Sequence, residues 1–249
     1  MRRVLVIPAA GRGSRLQSDV TKALVPVNGR PILGRLWAMY RDYVASAVVV
    51  ASPANEAEIR SYCQTIDPRV HVAIQRHPTG MLDALIAAAD DVRAANPERV
   101  WITWCDQVAI HPRTIARLAS TETDDPDAAL ALPTVRRTNP YIHFDRDADG
   151  RIVAVRQQRE GDAMPVEGES DAGLFALAAG VFHKLRQISA AAAAGRRSGE
   201  RNFLPLIPLI AKTASVITFE CTDPREAIGV NTPDELRQVE EYLRARRDT

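Results

Sequence analysis

The sequence predicts an α/β fold, a Rossmann-like, mainly parallel sheet flanked by helices, with a small antiparallel flap. Three observations favour it. In the first half of the chain, short runs rich in β-branched residues alternate with longer runs of helical periodicity, as in parallel sheets whose strands are joined by helices. A glycine-rich turn follows the first of those short runs directly. In the second half, two short strand-like segments flank Asp149 and Gly150, a dipeptide typical of hairpin turns.

The first half of the chain is predicted to contain four strands separated by helices. The first helix is expected to have Pro31 at its first helical position, with apolar residues recurring at helical spacing up to Tyr43. Ser52 and Pro53 are expected to cap and open the second helix, and residues 80–95 to form a third. The predicted strands are residues 4–7, 47–51, 70–75 and 100–105.

The second half is predicted to consist of shorter segments, most of them strands. A hairpin of residues 141–144 and 152–155 is expected to form the antiparallel flap, within a flap region of residues 135–175. Residues 203–212 are predicted to be helical despite two prolines. In the last helix, Thr232 and Glu235 form a capping box, with Pro233 at the first helical position. The remaining predicted strands are residues 128–132, 174–182 and 216–221.

Length, composition and charge limit the classes of function. The chain has 249 residues, of which 46% are apolar, with 32 Lys plus Arg against 31 Asp plus Glu, and we expect one domain over residues 1–249. A net charge of +1 gives no reason to expect nucleic acid or a membrane as a partner. The three cysteines are widely spaced, which favours neither disulfides nor a zinc site and points to the cytoplasm. An oligomer is possible.

The glycine-rich turn after the first strand is a candidate anion site. Its small residues would let backbone N–H groups approach phosphate oxygens closely. The spacing does not fit the dinucleotide-binding fingerprint, because Leu16 takes the place of the third glycine, and no Gly-Lys-Ser/Thr of a P-loop occurs. A plain strand-to-turn connection with solvated arginines remains an alternative. Residues 1–22 nevertheless concentrate five basic side chains against one acid, Asp19, namely Arg2, Arg3, Arg12, Arg15 and Lys22.

The longer string around this turn resembles the signature of the nucleotidyltransferases that act on sugar 1-phosphates. The string is IPAAGRGSRL at residues 7–16, then Lys22, then LVPVNGRPIL at residues 24–33. It is most similar to the uridylyltransferase (pyrophosphorylase) domain of bacterial N-acetylglucosamine-1-phosphate uridylyltransferases, in which a Ser-Asp-x-x-Lys run matches residues 18–22. The resemblance covers nearly the whole chain and implies the nucleotide-diphospho-sugar transferase fold. The acetyltransferase domain of the bifunctional relatives is expected to have no counterpart here.

The resemblance implies that the turn binds phosphates. Arg15 and the turn amides would bind the β- and γ-phosphates of an NTP, and Lys22 would stabilise charge near the α-phosphate. Together with Asp106, these two basic residues are the predicted catalytic residues. The turn residues with predicted nucleotide contacts are Ala9, Ala10, Gly11, Arg12, Gly13 and Ser14.

Asp106 and Asn231 are the predicted Mg²⁺ ligands. Asp106 follows a hydrophobic predicted strand, and Asn231 directly precedes the capped last helix, so on the residues alone a role in a turn or cap is an alternative for each. The resemblance matches both to metal ligands of the family. Two protein oxygens are sufficient for Mg²⁺, because water and substrate phosphates complete its octahedron.

Gln75 and Gly80 match positions that contact the nucleobase in the family. Gln75 ends the third predicted strand, where its amide offers both a donor and an acceptor, although a polar residue at a strand end is also an ordinary structural feature. Met81 stands where relatives carry a small Thr, and Cys105 where a Gly is common before the metal-binding Asp. The identity of the base therefore stays open, with UTP favoured.

Gln157 and Asp171 are the predicted acceptor-binding residues. The N-acetylglucosamine enzymes carry Glu and Asn at these positions, and both differ here.

From the resemblance as a whole, we expect Mg²⁺-dependent nucleotidyl transfer from an NTP to a sugar 1-phosphate, giving an NDP-sugar and pyrophosphate. Two alternatives remain: the same reaction on a non-sugar phosphate, such as an alkylamine or cyclitol phosphate, and a nucleotide-binding regulator without turnover.

Overall fold

An eight-stranded sheet runs through the protein, as seen in a computed structural model that describes residues 1–11, 14–16, 20–77, 79–191 and 194–246. Two further sheets have two strands each. The strands are β1 (Arg3–Pro8), β2 (Pro26–Val27), β3 (Arg30–Pro31), β4 (Ser46–Ala51), β5 (Val70–Ile74), β6 (Arg99–Thr103), β7 (Leu130–Thr138), β8 (Ile142–Arg146), β9 (Ile152–Gln157), β10 (Glu167–Asp171), β11 (Leu174–Ala178) and β12 (Val216–Glu220). The main sheet has the order β10-β7-β11-β6-β1-β4-β5, and β12 pairs with β7.

The first four strands of the main sheet lie side by side and parallel, which confirms the prediction for the first half of the chain. Residues 4–7 of β1 are at most 1% exposed, because helices cover both faces of the sheet, and this explains the uninterrupted apolar run. Strand β6 ends at Thr103 rather than at residue 105, since the N–H of Gln107 donates to Trp104 O at 3.1 Å and closes a turn.

The other half of the main sheet is mixed. Strand β11 is antiparallel to both β6 and β7, β10 is antiparallel to β7, and β12 is parallel to β7. The sequence does not predict β10, because EGESD shows no apolar alternation. The predicted strand of residues 174–182 is wrong beyond Ala178, where a short helix begins.

The predicted flap hairpin is confirmed. Strands β8 and β9 form a separate antiparallel pair in which Phe144 lies opposite Val155. In the turn between them, the Asp147 carboxylate accepts hydrogen bonds from the N–H groups of Asp149 (3.1 Å) and Arg151 (2.9 Å). Arg146 connects the flap to the main sheet through a bidentate ion pair with Glu169 of β10. The flap is therefore tied to the strand beside it.

Helices cover both faces of the main sheet. They are α1 (Ile32–Tyr40), α2 (Glu56–Ile66), α3 (Met81–Ala87), α4 (Ala89–Ala95), α5 (Pro112–Asp124), α6 (Ala179–His183), α7 (Leu185–Ile188), α8 (Ile207–Ala211) and α9 (Pro233–Ala245). One apolar cluster contains side chains of α1, α2, α5 and α9, and a second contains those of α3, α4, α6 and α8. Cys63, Cys105 and Cys221 are buried and unpaired. Within the described ranges, no helix is long and apolar enough to cross a membrane.

Three helix predictions need correction at their ends. Pro31 is the N-cap of α1 and not its first helical residue, because it is still paired in a small β2–β3 hairpin. Helix α2 begins at Glu56, since Asn55 and not Ser52 takes the capping position. The predicted helix of residues 80–95 is divided at Ala88 into α3 and α4. The capped last helix is confirmed: the hydroxyl of Thr232 accepts a hydrogen bond from the backbone N–H of Glu235.

Candidate active site

Three polar side chains from distant parts of the sequence meet at the carboxyl edge of the main sheet. Lys22 lies in a short 3₁₀ turn after β1, Asp106 lies three residues after the end of β6, and Asn231 directly precedes the N-cap of α9. Strands β1 and β6 are parallel neighbours, so the segments that follow them emerge at the same edge. The topology thus brings together residues 22, 106 and 231.

The ammonium of Lys22 connects the other two side chains. Its Nζ lies 2.9 Å from Asp106 Oδ2 and 2.7 Å from Asn231 Oδ1, distances typical of charge-assisted hydrogen bonds. The Lys22 and Asp106 side chains are 16% and 17% exposed. Arg15, which is exposed, donates from Nη2 to the same Asn231 oxygen at 3.3 Å. Two basic side chains therefore converge on one carboxylate and one amide.

Gly229 allows the loop before α9 to lie against Asp106. A Cβ at this position would be 3.0 Å from Asp106 Cγ and 3.2 Å from Asn231 Nδ2, so a side chain would press the two groups apart. The loop is held there by the backbone, because the N–H of Val230 donates to Asp106 O at 3.1 Å. On its other side, Glu235 of the capping box accepts a hydrogen bond from the Asn231 N–H at 3.0 Å.

The donor set fits a divalent cation. Asp106 and Asn231 offer one carboxylate and one amide oxygen, the hard ligands that Mg²⁺ prefers, and both already converge on a single positive charge, the Lys22 ammonium. Of the residues the structure describes, no group of three or more His, Cys, Asp or Glu side chains is arranged to hold a metal. A cation here would thus depend on a two-residue anchor, with water and phosphates as its other ligands.

A cavity of about 270 Å³ opens beside these residues. It brings together most of the predicted nucleotide-binding positions, while the predicted residues Arg12 and Gly13 lie outside the described residues. Ser14 lies with Arg15 in a 3₁₀ turn of residues 14–16. The cavity is lined by Pro8, Ala9, Ala10, Gly11, Lys22, Gln75, Gly80, Met81, Ala84, Trp104, Cys105, Asp106 and Glu200.

Asn55 fixes the start of the glycine-rich turn. Its buried side chain donates from Nδ2 to Ala9 O at 3.0 Å and accepts from the N–H of Ser52 at 2.8 Å. The N–H of Ala9 donates to Val50 O at 2.8 Å, so this amide is not available to a phosphate. The turn amides that can bind an anion therefore begin at Ala10. Sequence reasoning missed Asn55, because its role depends on a contact 46 residues away.

Gln75 and Gly80 both line the cavity and are joined by a hydrogen bond. Gln75 is 6% exposed and donates from Nε2 to Gly80 O at 2.9 Å, which leaves its carbonyl oxygen as the acceptor. Gly80 has φ +126°, and a Cβ there would be 2.6 Å from the backbone N of Arg201. Arg201 in turn accepts a hydrogen bond at its carbonyl from the N–H of Leu82 at 2.9 Å. Only glycine fits this position.

Gly80→Ala is expected to lower the free energy of unfolding by about 2 kcal/mol or more, because the left-handed φ and the contact with the Arg201 backbone both disfavour a side chain. Denaturant titration measures this. Gly180→Ala is the matched control: it lies in helix α6 with open space around its Cα, so we expect no loss of stability. Equal stability of the two variants would contradict the assignment.

The predicted acceptor residues do not line the cavity. Gln157 ends β9, and its N–H donates to Asp162 Oδ2 at 2.8 Å. Asp171 ends β10 and is buried; burial raises the pKa of its carboxyl, although the Gly173 N–H donates to it at 2.8 Å. Asp171 also forms a hydrogen bond with the Trp104 side chain, and Trp104 does line the cavity.

Trp104 and Glu200 are cavity residues that sequence reasoning missed. Trp104 packs on Phe175 at a ring distance of 4.9 Å. It also lines the cavity. Glu200 comes from a loop far along the chain and forms an ion pair with Arg159, with 2.6 Å between Nη2 and Oε1. No local pattern marks either residue for this role.

Comparison with known proteins agrees with the predicted superfamily. The family model described as MobA-like NTP transferase domain matches residues 5–171. The bifunctional protein GlmU of Pelotomaculum thermopropionicum is 29% identical over 253 residues, which cover 97% of this chain. GlmU of Oleidesulfovibrio alaskensis is 29% identical over 246 residues, or 96% of this chain. The chain spans about half the length of these curated relatives, 52% in each case.

A solved structure gives the same result for the fold. The structure of CMP:2-keto-3-deoxy-manno-octonic acid synthetase complexed with CTP superposes with a TM-score of 0.73 at 17% sequence identity. The match covers 99% of this chain and 100% of that one. At this identity the likeness concerns the architecture, and it confirms the predicted α/β fold.

Proposed function

Because the chain belongs to the family of MobA-like NTP transferase domains, we propose that it transfers a nucleotidyl group from an NTP, with UTP favoured, to a sugar 1-phosphate. The observation that carries this proposal is the contact of Lys22 with Asp106 and Asn231 beside the cavity. A cation anchor next to a lysine and a glycine-rich turn supplies what a reaction between two phosphate anions requires.

In the proposed reaction, an oxygen of the acceptor phosphate attacks the α-phosphorus of the NTP in line. The new P–O bond forms as the bond to the bridging β-phosphate oxygen breaks, and pyrophosphate leaves with that electron pair. No protein nucleophile is needed, so the protein aligns two anions and stabilises the charge that develops between them. When bound at Asp106 and Asn231, Mg²⁺ would neutralise phosphate charge and orient the two groups.

Each residue of the site would have its own role in this reaction. The backbone amides of Ala10 and Gly11, with the exposed Arg15, would hold the β- and γ-phosphates. Lys22 reaches the cavity from the side of Asp106 and would hold charge at the α-phosphate. Gln75 and Gly80 would contact the base. Gln157 and Asp171 stay our proposed contacts on the acceptor side, reached past Trp104.

The decisive experiment is a matrix of four NTPs against a panel of sugar 1-phosphates, read by pyrophosphate release with Mg²⁺. We expect turnover for at least one pair, with UTP the best donor, and none when EDTA removes the metal. Pyrophosphate release in the absence of any acceptor, or no release for every pair, would contradict the proposal. A panel of alkylamine and cyclitol phosphates tests the second candidate function, which the residues at positions 157 and 171 favour because both differ from those of the sugar-specific relatives.

Gln75→Ala is expected to raise KM for UTP about tenfold with little change in kcat, because it removes one hydrogen bond to the base far from the reacting atoms. KM for the other NTPs should change less, so the preference for UTP over the other NTPs should become smaller. Gln64→Ala, on the exposed side of α2, is the control. Steady-state kinetics with each NTP measure the effect, and an unchanged ratio between UTP and its competitors would contradict the proposed base contact.

A further inference from the structure

Arg137 is a half-buried cation without an ion-pair partner within 4.0 Å among the described residues. It lies near the carboxyl end of β7, opposite Gly168 of β10. Its Nη2 donates to Ala227 O at 3.1 Å, whereas its Nε is buried and has no partner in the part of the chain that the structure describes. Burial lowers the pKa of this guanidinium, a sign that its charge is poorly compensated. Buried charges of this kind are normally paired.

The nearest acid does not supply the missing partner. Asp171 attracts Arg137 through space, but its carboxylate accepts hydrogen bonds from the Gly173 N–H and the Trp104 side chain rather than from the guanidinium. Arg137 therefore keeps its positive charge, and its Nε keeps an N–H donor that has no partner among the described residues.

Two connections place Arg137 close to the reacting centre. Ala227, which it contacts, is two residues before Gly229, and two residues span at most about 7 Å. Gly229 packs directly on Asp106. The Gln107 side chain packs against both Gly173 and Gly229. Its buried Oε1 also lacks a partner among the described residues. An unbonded donor and an unbonded acceptor thus lie beside the segment that packs on Asp106.

We propose that Arg137 binds a carboxylate on the acceptor, so that the preferred acceptor is the 1-phosphate of an acidic sugar. This inference rests on the proposed function. The reacting phosphate has to lie at Lys22 and Asp106, so the anion at Arg137 is a second one, carried elsewhere on the same small molecule. A guanidinium with free N–H groups matches a carboxylate in geometry as well as in charge.

The test uses two acceptors that differ by one group, glucuronic acid 1-phosphate and glucose 1-phosphate, with UTP and Mg²⁺. We expect the wild-type protein to favour the acidic sugar by about tenfold or more in kcat/KM. Arg137→Gln should abolish this preference by raising KM for the acidic sugar only. Arg136→Gln is the matched control, since this neighbour on the same strand is 72% exposed and should leave both reactions unchanged.

Two further variants separate binding from structural support. Asp171→Asn removes the competing negative charge, so it should strengthen the preference for the acidic sugar; if Arg137 served only to balance Asp171, the preference would not change. Arg137→Lys keeps the cation and should retain part of the preference for the acidic sugar. This variant provides the test if Arg137→Gln does not fold. No preference in the wild-type protein, or an equal loss for both sugars in Arg137→Gln, overturns the inference. An absence of turnover with every donor and acceptor overturns the proposed function instead, and the inference with it.

Discussion

Lys22→Ala is expected to lower kcat for pyrophosphate release by roughly 10²- to 10³-fold, the cost of removing one preorganised donor from a transition state that gains negative charge. The ammonium is half-buried and already oriented by two hydrogen bonds of 2.9 and 2.7 Å, so its position is fixed before substrate arrives. The fold should persist, because Lys22 packs at the sheet edge and not in either apolar cluster.

The kinetic test of Lys22 uses saturating UTP and acceptor, so that kcat is measured directly. Lys212→Ala, an exposed lysine after α8, is the control and should behave as wild type. Circular dichroism establishes that both variants are folded. Lys22→Arg should recover only part of the rate, since a planar guanidinium cannot take the place of the compact ammonium between Asp106 and Asn231. Wild-type kcat in Lys22→Ala would eliminate the mechanism.

Asp106→Asn is expected to lower kcat/KM by about 10³-fold, because it removes the one carboxylate of the proposed cation anchor. The transition state then loses several kcal/mol of charge stabilisation, which corresponds to about three factors of ten in rate. The substitution keeps the shape of the side chain and an oxygen for Lys22. Its effect on stability should therefore be small, which separates loss of the cation from loss of the fold.

Titration with Mg²⁺ gives the Asp106 prediction a second readout. The variant should require a higher Mg²⁺ concentration for half-maximal rate than the wild-type protein does. Asp42→Asn, at a site 83% exposed, is the control for removing one negative charge from the surface. An unchanged dependence on Mg²⁺ with a lowered rate would mean that Asp106 acts without holding the cation.

The elements that carry a strong local pattern could be predicted from the sequence. Strand β1 is continuously apolar because both of its faces are buried, and the last helix begins at a complete capping box. The convergence of Lys22 with Asp106 also follows from a general rule, since segments after neighbouring parallel strands emerge at one edge of the sheet. For these features, local chemistry and the overall topology agree.

The rest depends on contacts between distant residues. Strand β10 is polar and became a strand only by pairing with β7, and its buried charge is compensated by Arg146 of the flap. Asn55 secures a turn 46 residues before it, and Glu200 reaches the cavity from a loop without secondary structure. In the sequence, Arg136 and Arg137 are two adjacent basic residues that nothing distinguishes. Only their position in the folded strand makes Arg137 half-buried and Arg136 exposed.

In the proposed mechanism, the position of the Lys22 ammonium makes the affinities for cation and nucleotide interdependent. Lys22 and Asp106 already balance each other, so a free divalent cation has to compete with the ammonium for the same two oxygens and is repelled by it at short range. A triphosphate gives Lys22 another anionic partner and frees those oxygens. By linkage, each ligand then increases the affinity for the other by the same factor, so the cation would bind weakly without the nucleotide.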